Sequence, residues 1–348
     1  MESLQINLGE RSYPIHIASG LLSKIKDLIP KADSYLLLTD QNVDGYYGEK
    51  IITALGAGNC NRYVIDPGEE SKTMETVQSI LSYMLDGHFT RKSIVIALGG
   101  GVVGDIAGFC ASIYMRGIDW VQIPTTLLAQ VDSSVGGKTG VNMPQAKNVV
   151  GSFYQPKAVI IDTDVLQTLP SRELISGIGE VIKYGIIYDY DFFSYIYKNL
   201  SQLFQLEKPV IEKIIHDCCS MKAAVVAKDE KEQGLRKILN FGHTIGHGLE
   251  AVTDYKRYTH GEAVLIGMVL EAKMALDRNW IDKGYFQEIK TVVEETGISL
   301  DISELDRNLL LDKMMGDKKN QGGKISFILP SAKGQVRELL LEKEEVQW

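Results

Sequence analysis

Ser93-Ile-Val-Ile-Ala-Leu98 runs directly into Gly99-Gly100-Gly101-Val102-Val103-Gly104-Asp105, and an apolar stretch then continues through Met115. A short apolar run, a cluster of glycines and a longer apolar segment predict a buried strand, a tight turn and a helix. Gly99, Gly101 and Gly104 have the spacing G-x-G-x-x-G, in which small residues let backbone amides approach a phosphate at a helix N-terminus. A tight strand-to-helix turn without a ligand fits the same glycines. No acidic residue stands about twenty positions further on at the end of a second strand, since Asp119 comes too early. The segment therefore predicts an α/β domain that departs from the ordinary dinucleotide-binding pattern.

Working outward, Tyr35–Leu38, Tyr63–Ile65, Trp120–Ile123 and Ala158–Ile161 repeat the strand signal, and Lys72–Leu85 reads as a helix between two of them. This alternation predicts a Rossmann-like, mainly parallel sheet over residues 1–169. After Leu169-Pro170 the period lengthens. Glu173–Ile187, Val210–Lys228, Lys237–Val252 and Glu262–Leu276 read as helices, so residues 170–348 are expected to form a mainly α-helical second domain. Lys324–Leu329 and Gln335–Leu341 read as strands within it.

A chain of 348 residues is long enough for two cores, and 45% hydrophobic with 24% charged residues is an ordinary globular composition. The net charge of -8 opposes a general nucleic-acid or anionic-membrane surface. Cys60, Cys110, Cys218 and Cys219 form no CxxC pair, and no apolar run approaches the length of a membrane span. The N-terminus lacks the basic start and apolar core of a secretory signal, so a cytoplasmic protein is expected.

The strongest chemical signal is Asn240-Phe-Gly-His243-Thr-Ile-Gly-His247-Gly, followed by Tyr258-Thr-His260-Gly-Glu262. Histidines at i and i+4 share a helix face, and His260 returning from the next element would complete a site for a divalent ion. Surface or capping histidines show the same spacing. Thr244 occupies the place where a zincin needs glutamate, so no protease-type general base lies between them. A second polar region, Val131-Asp132-Ser-Ser-Val-Gly-Gly-Lys138-Thr-Gly-Val-Asn142 with Lys147-Asn148, combines small residues with opposed charges suited to a small anionic ligand. Thr39-Asp40-Gln41-Asn42 and Gly68-Glu69-Glu70-Ser71-Lys72 are further candidate cofactor contacts, each also readable as a turn or a cap.

These segments, with Tyr114-Met-Arg116-Gly, Pro124-Thr125-Thr126, Gly179-Glu180-Val-Ile-Lys183-Tyr-Gly and Asp317-Lys318-Lys, occur in the order found in 3-dehydroquinate synthases. The chain resembles that family over nearly its whole length. The resemblance implies NAD and a divalent metal, zinc or alternatively cobalt, as cofactors. It maps the metal ligands onto Glu180, His243 and His260 and moves His247 to the substrate. Glu180, judged by its neighbours alone, reads as a surface glutamate.

By the same resemblance, Asp40, Asn42, Glu69, Lys72, Gly100, Gly101, Val102, Asp105, Thr125, Thr126, Lys147 and Thr168 are expected to contact NAD. Asp132, Lys183, Lys222, Arg236, Asn240, His247 and Lys318 are expected at the substrate, Lys138 and Lys147 near both cofactor and substrate, and His247, Lys138 and Asn148 are the candidates for proton shuttling or phosphate handling. Arg116 is expected to reach the neighbouring subunit of a homodimer. Asp66-Pro67-Gly68 departs locally from the family pattern. The implied reaction converts 3-deoxy-D-arabino-heptulosonate 7-phosphate, a small phosphorylated sugar acid, to 3-dehydroquinate and phosphate in the shikimate pathway. Other sugar-phosphate cyclases, such as 2-deoxy-scyllo-inosose synthase, are the alternative, and a metal-dependent polyol dehydrogenase differs in accumulating NADH.

Overall fold

The computed structural model describes residues 2–232, 234–316 and 323–348. The chain divides into two compact units, Met1–Leu169 with Lys208–Lys231, and Pro170–Glu207 with Glu232–Trp348. Among the described residues no helix is long and apolar enough to cross a membrane.

The first unit is built on a seven-stranded sheet. Its strands are β1 (Glu2–Ile6), β2 (Tyr13–Ala18), β3 (Tyr35–Asp40), β4 (Cys60–Ile65), β5 (Ile94–Gly99), β6 (Asp119–Pro124) and β9 (Val159–Asp162); β7 (Lys138–Met143) and β8 (Ala146–Phe153) form a separate hairpin. The sheet order is β1-β2-β9-β6-β5-β3-β4, parallel except for the β1–β2 pair. All six residues of β5 are buried because both faces of the sheet are covered, and this is why the strand reads as a continuous apolar run. Leu36, Leu38, Val95 and Ala97 face one core with the helices Met74–Asp86 and Gly101–Ile113. Tyr35, Leu37, Ile94, Ile96 and Leu98 face a second core on the other side. Gly104 brings the helix Gly101–Ile113 close to the sheet: a Cβ there would lie 2.3 Å from the Gln122 side chain.

The sheet order also brings an acidic residue beside the glycines. From β3 the chain moves outward to β4, and from β5 it moves the opposite way to β6, so the carboxyl ends of β3 and β5 flank a topological switch point. Thr39 pairs with Leu98, which sets Asp40 beside Gly99. The acidic residue stands on the neighbouring strand in space but precedes the glycines in sequence, so a search downstream of them misses it.

Two expectations need correction. The helix Lys208–Lys228, assigned by sequence to residues 170–348, belongs to the first unit, where it packs against β1 and the segment Ala129–Ser133. Its apolar spacing identified a helix without identifying the surface that covers it. The segment Lys237–Val252 is not one helix but a 3₁₀ turn, Leu235–Asn240, followed by the helix His243–Val252. Gly242 separates them with φ 77°, a left-handed conformation that ends the turn and starts the helix.

The second unit is helical around His260–Asp277, which packs against Ser171–Ile187, His243–Val252, Lys283–Glu294 and the strand β10 (Ile325–Ala332). β10 pairs antiparallel with β11 (Gln335–Leu341).

Candidate active site

In the first unit, polar groups gather where the strands end. Asp40 Oδ1 accepts from the amides of Asn42 and Val43 at 2.9 and 3.0 Å and caps the following turn. Thr168 bonds Tyr47 through its hydroxyl at 2.7 Å. Lys72, 4% exposed, donates from Nζ to Asp105 Oδ2 at 2.5 Å and to Asn148 Oδ1 at 2.6 Å. Burial acts to lower the Lys72 pKa, but the charges of Asp105 and Glu69 hold it above the ordinary lysine value. Asn142 extends the network, donating to Glu69 Oε1 at 2.7 Å while its own Oδ1 accepts from the Asn148 amide at 2.9 Å. Asn148 itself has φ 54°.

The residues of this unit fit a nucleotide. Gly100, Gly101 and Val102 open the helix Gly101–Ile113, so their amides stand at its positive end. The buried hydroxyl of Thr125 has no hydrogen-bond partner among the described residues, and neither has Ser133 Oγ, 3.2 Å from where a Cβ on Gly101 would sit. Thr126 Oγ1 instead caps the amide of Ala129. Nearby, Lys222 Nζ reaches Asp132 at both its carbonyl oxygen (2.7 Å) and Oδ1 (2.9 Å), joining two expected substrate residues. Lys138, Asn148 and Arg116 are exposed and Lys147 is half-buried, and Arg116 stands in a left-handed turn at φ 70°.

In the second unit, local sequence explains how the metal candidates meet. Thr259-His260-Gly261-Glu262 is a capping box: the Thr259 side chain accepts from the Glu262 amide, and the Glu262 carboxylate accepts from the Thr259 amide. Arg172 anchors the same carboxylate at 2.9 and 2.7 Å. His260 is thereby fixed as the first residue of its helix. Gly261 and Gly179 let this helix lie against Ser171–Ile187, which carries Glu180. The histidine helix is fixed by Glu271, fully buried, whose carboxylate accepts from the amides of Gly242 at 2.7 Å and Ile245 at 3.3 Å.

The result is a convergence of three donors. Glu180 is 1% exposed, contrary to its reading as a surface residue. Its Oε2 accepts from Lys183, itself buried. Its Oε1 accepts no hydrogen bond among the described residues, yet lies 3.5 Å from His243 Nε2 and 3.9 Å from His260 Nε2. Ligand atoms of Glu180, His243 and His260 all lie within 4.8 Å of one another. A buried carboxylate oxygen without a donor, facing two imidazole nitrogens, fits a divalent cation of the zinc or cobalt kind. Burial acts to lower the His260 pKa, but the hydrogen bond and charge of Glu250, with Glu180 beyond it, hold it above the ordinary histidine value.

His247 is not one of these three donors. Its ring centroid lies 5.5 Å from that of His243 and 5.9 Å from that of His260. It stands instead in a second set, His247, Glu250 and His260, that also falls within 4.8 Å. Arg236 is 2% exposed and Asn240 half-buried on the turn leading to the histidine helix. Lys318 lies outside the described residues. The sequence reading missed Glu250 and Glu271. Their only local sign was a carboxylate among apolar residues on a helix, a pattern shared by many solvated glutamates.

Comparison with known proteins shows the family. The family model described as 3-dehydroquinate synthase N-terminal matches residues 62–176, and the one described as 3-dehydroquinate synthase C-terminal matches residues 177–320. A protein called 3-dehydroquinate synthase from Alkaliphilus metalliredigens (strain QYMF) is 59% identical over 346 residues, covering 99% of this chain and 97% of that protein. One of the same name from Thermoanaerobacter sp. (strain X514) is 48% identical, covering 99% of each chain. Among solved structures, a 2-deoxy-scyllo-inosose synthase complexed with carbaglucose-6-phosphate, NAD+ and Co2+ superposes with TM-score 0.91 at 26% identity, covering 99% of this chain and 97% of that one. The 2-epi-5-epi-valiolone synthase of Streptomyces hygroscopicus subsp. jinggangensis 5008, with NAD+ and Zn2+ bound, gives TM-score 0.88 at 26% identity, covering 97% and 96%. With both family models matched in succession and 59% identity to a relative along nearly the whole chain, the chain belongs to the 3-dehydroquinate synthase family.

Proposed function

We propose that this chain converts 3-deoxy-D-arabino-heptulosonate 7-phosphate to 3-dehydroquinate and phosphate, as a cytoplasmic homodimer. The observation that carries the reading is the Glu180, His243 and His260 set, together with 59% identity along the chain to a 3-dehydroquinate synthase. When bound, NAD supplies a reversible hydride acceptor and the divalent ion a Lewis acid, so the net reaction is redox-neutral.

Glu180, His243 and His260 would hold the ion, and Lys183 neutralises the oxygen of Glu180 that faces away from the imidazoles. Asp40, Asn42, Glu69, Lys72, Gly100–Val102, Asp105, Thr125, Thr126 and Thr168 would hold NAD, with Lys147 close by. Lys222, Arg236 and Lys318 are suited to the carboxylate and phosphate of the substrate, since cations bind such groups through charge-assisted hydrogen bonds. Asp132, Lys138, Asn148, Lys183 and Asn240 complete the polar set, and Arg116 serves the partner subunit's site. His247 stands beside both ligand imidazoles outside the Glu180 set, placed to hold or move a proton.

The deciding measurement is phosphate release from the heptulosonate phosphate with simultaneous recording at the NADH absorption band. Phosphate is expected to appear without net NADH. Release from glucose 6-phosphate or sedoheptulose 7-phosphate instead would transfer the chain to another cyclase activity, and accumulating NADH would make it a dehydrogenase.

Asp40 offers a separate check on the cofactor. Asparagine caps a turn as well as aspartate does, so Asp40→Asn is expected to leave thermal stability within about 0.5 kcal/mol. If Asp40 were to hold the NAD ribose through a charged hydrogen bond, the loss of its negative charge would weaken NAD about tenfold and narrow the preference over NADP. Titration of both nucleotides into wild type and variant measures the ratio.

A further inference from the structure

Two candidate cation sets share one imidazole. His260 Nε2 points toward Glu180 Oε1 at 3.9 Å, while its Nδ1 lies 3.4 Å from Glu250 Oε2. Glu250 is 8% exposed and sits near the end of the histidine helix. A neutral imidazole has one N–H and one lone pair, so it cannot serve both sets in one tautomer. An N–H at Nδ1 satisfies Glu250 and leaves the Nε2 lone pair facing Glu180; the opposite tautomer turns the lone pair toward Glu250. The other ligand histidine follows the same rule, since His243 Nδ1 lies 3.0 Å from the main-chain oxygen of Phe241 while its Nε2 faces Glu180. Each ligand imidazole thus has an acceptor behind Nδ1 and the same carboxylate oxygen in front of Nε2.

We propose that Glu250 is a positioning residue and not a metal ligand: it accepts the Nδ1–H of His260 and thereby commits Nε2 to the ion held with Glu180 and His243. This inference rests on the metal site assigned above. A carboxylate behind a ligand histidine fixes both the ring orientation and the tautomer, and its loss lowers metal affinity without removing a ligand.

The test uses the full-length protein freed of metal, with zinc affinity measured by chelator competition and cobalt loading followed by visible absorption. Glu250→Ala is expected to weaken zinc by about 10–100-fold. Glu250→Gln, whose amide oxygen still accepts from Nδ1–H, should fall between the wild type and the alanine variant. Nitrogen-15 NMR of the metal-free protein, recorded at alkaline pH where the His260 ring is neutral, should show its proton on Nδ1 in the wild type and in Glu250→Gln, and the loss of that preference in Glu250→Ala. Glu250→Leu fills the space without an acceptor and gives the same reading should the alanine variant not fold. Unchanged affinity and tautomer in the alanine or leucine variant, with Glu180→Gln still impaired, would overturn the role of Glu250 and leave the metal site standing. If instead His247→Ala and Glu250→Ala abolish binding while Glu180→Gln does not, the ion belongs to the other set and the metal assignment itself falls.

Discussion

Glu180→Gln is expected to abolish metal retention and turnover together. The glutamate is buried on a helix, one oxygen engaged by Lys183 and the other facing two imidazoles without a hydrogen bond. Glutamine keeps the shape but removes the only negative charge in the set of three donors. It also has one oxygen where two are needed, so its amide nitrogen must face either the Lys183 ammonium or the cation. Structural zinc sites with four ligands gain on the order of 10–16 kcal/mol, so losing the charged member of a three-residue set should cost about 3 kcal/mol or more, over 100-fold in affinity. Elemental analysis after dialysis, run beside the phosphate-release assay, measures both consequences. A variant that keeps its metal would mean that another carboxylate is the ligand.

Gly261→Ala is expected to separate the helices that carry Glu180 and His260. A Cβ on Gly261 would lie 2.0 Å from the carbonyl oxygen of Ser176 and 2.5 Å from its Cα. These are backbone atoms, so no rotamer change relieves the conflict, and the Gly261 amide would also lose its 3.0 Å bond to Ser176 Oγ. Overpacking typically costs about 1–3 kcal/mol, and a backbone clash this close belongs at or above the upper end of that range. Denaturant melts of metal-free protein should show that loss, and zinc affinity should fall with it because the helix crossing sets the ligand geometry. Gly45→Ala, where a Cβ meets nothing within 4 Å and φ is not positive, is expected to stay within about 0.5 kcal/mol. Equal stability of the two variants would show that the helices can part without penalty.

Much of the first unit was legible because its signals are local. The β5 run, the glycine turn and the apolar strands at Tyr35, Tyr63, Trp120 and Ala158 announce parallel strands, and each lies in the sheet, β4 as its largely exposed edge. β1 and β2 were not anticipated, although Tyr13-Pro-Ile-His-Ile-Ala alternates buried with half-buried positions. The stretch around Lys138 was read only as polar, yet Lys138–Met143 and Ala146–Phe153 form a hairpin whose Thr139, Gly140 and Val141 are buried. Small and polar residues give no period-two signal, and their burial comes from the neighbouring helix Gly101–Ile113.

The sequence by itself determined the alternation of β3, β4, β5, β6 and β9 with helices, the change to a mainly helical pattern after Pro170, the glycine-rich helix start and the clustering of His243, His247 and His260. These features are set by side-chain periodicity and backbone preference within one or two turns of chain. Resemblance to a family named Glu180 as a ligand, but the residue's own neighbours described a surface glutamate. Only the tertiary structure decided that Glu180 is buried and faces two imidazoles, that Asp40 stands beside the glycines, and that Glu250 lies behind His260. Each of these depends on which elements pack together. Sheet order and the close approach of helices at Gly179 and Gly261 bring distant residues within hydrogen-bonding range, and no local spacing records that outcome.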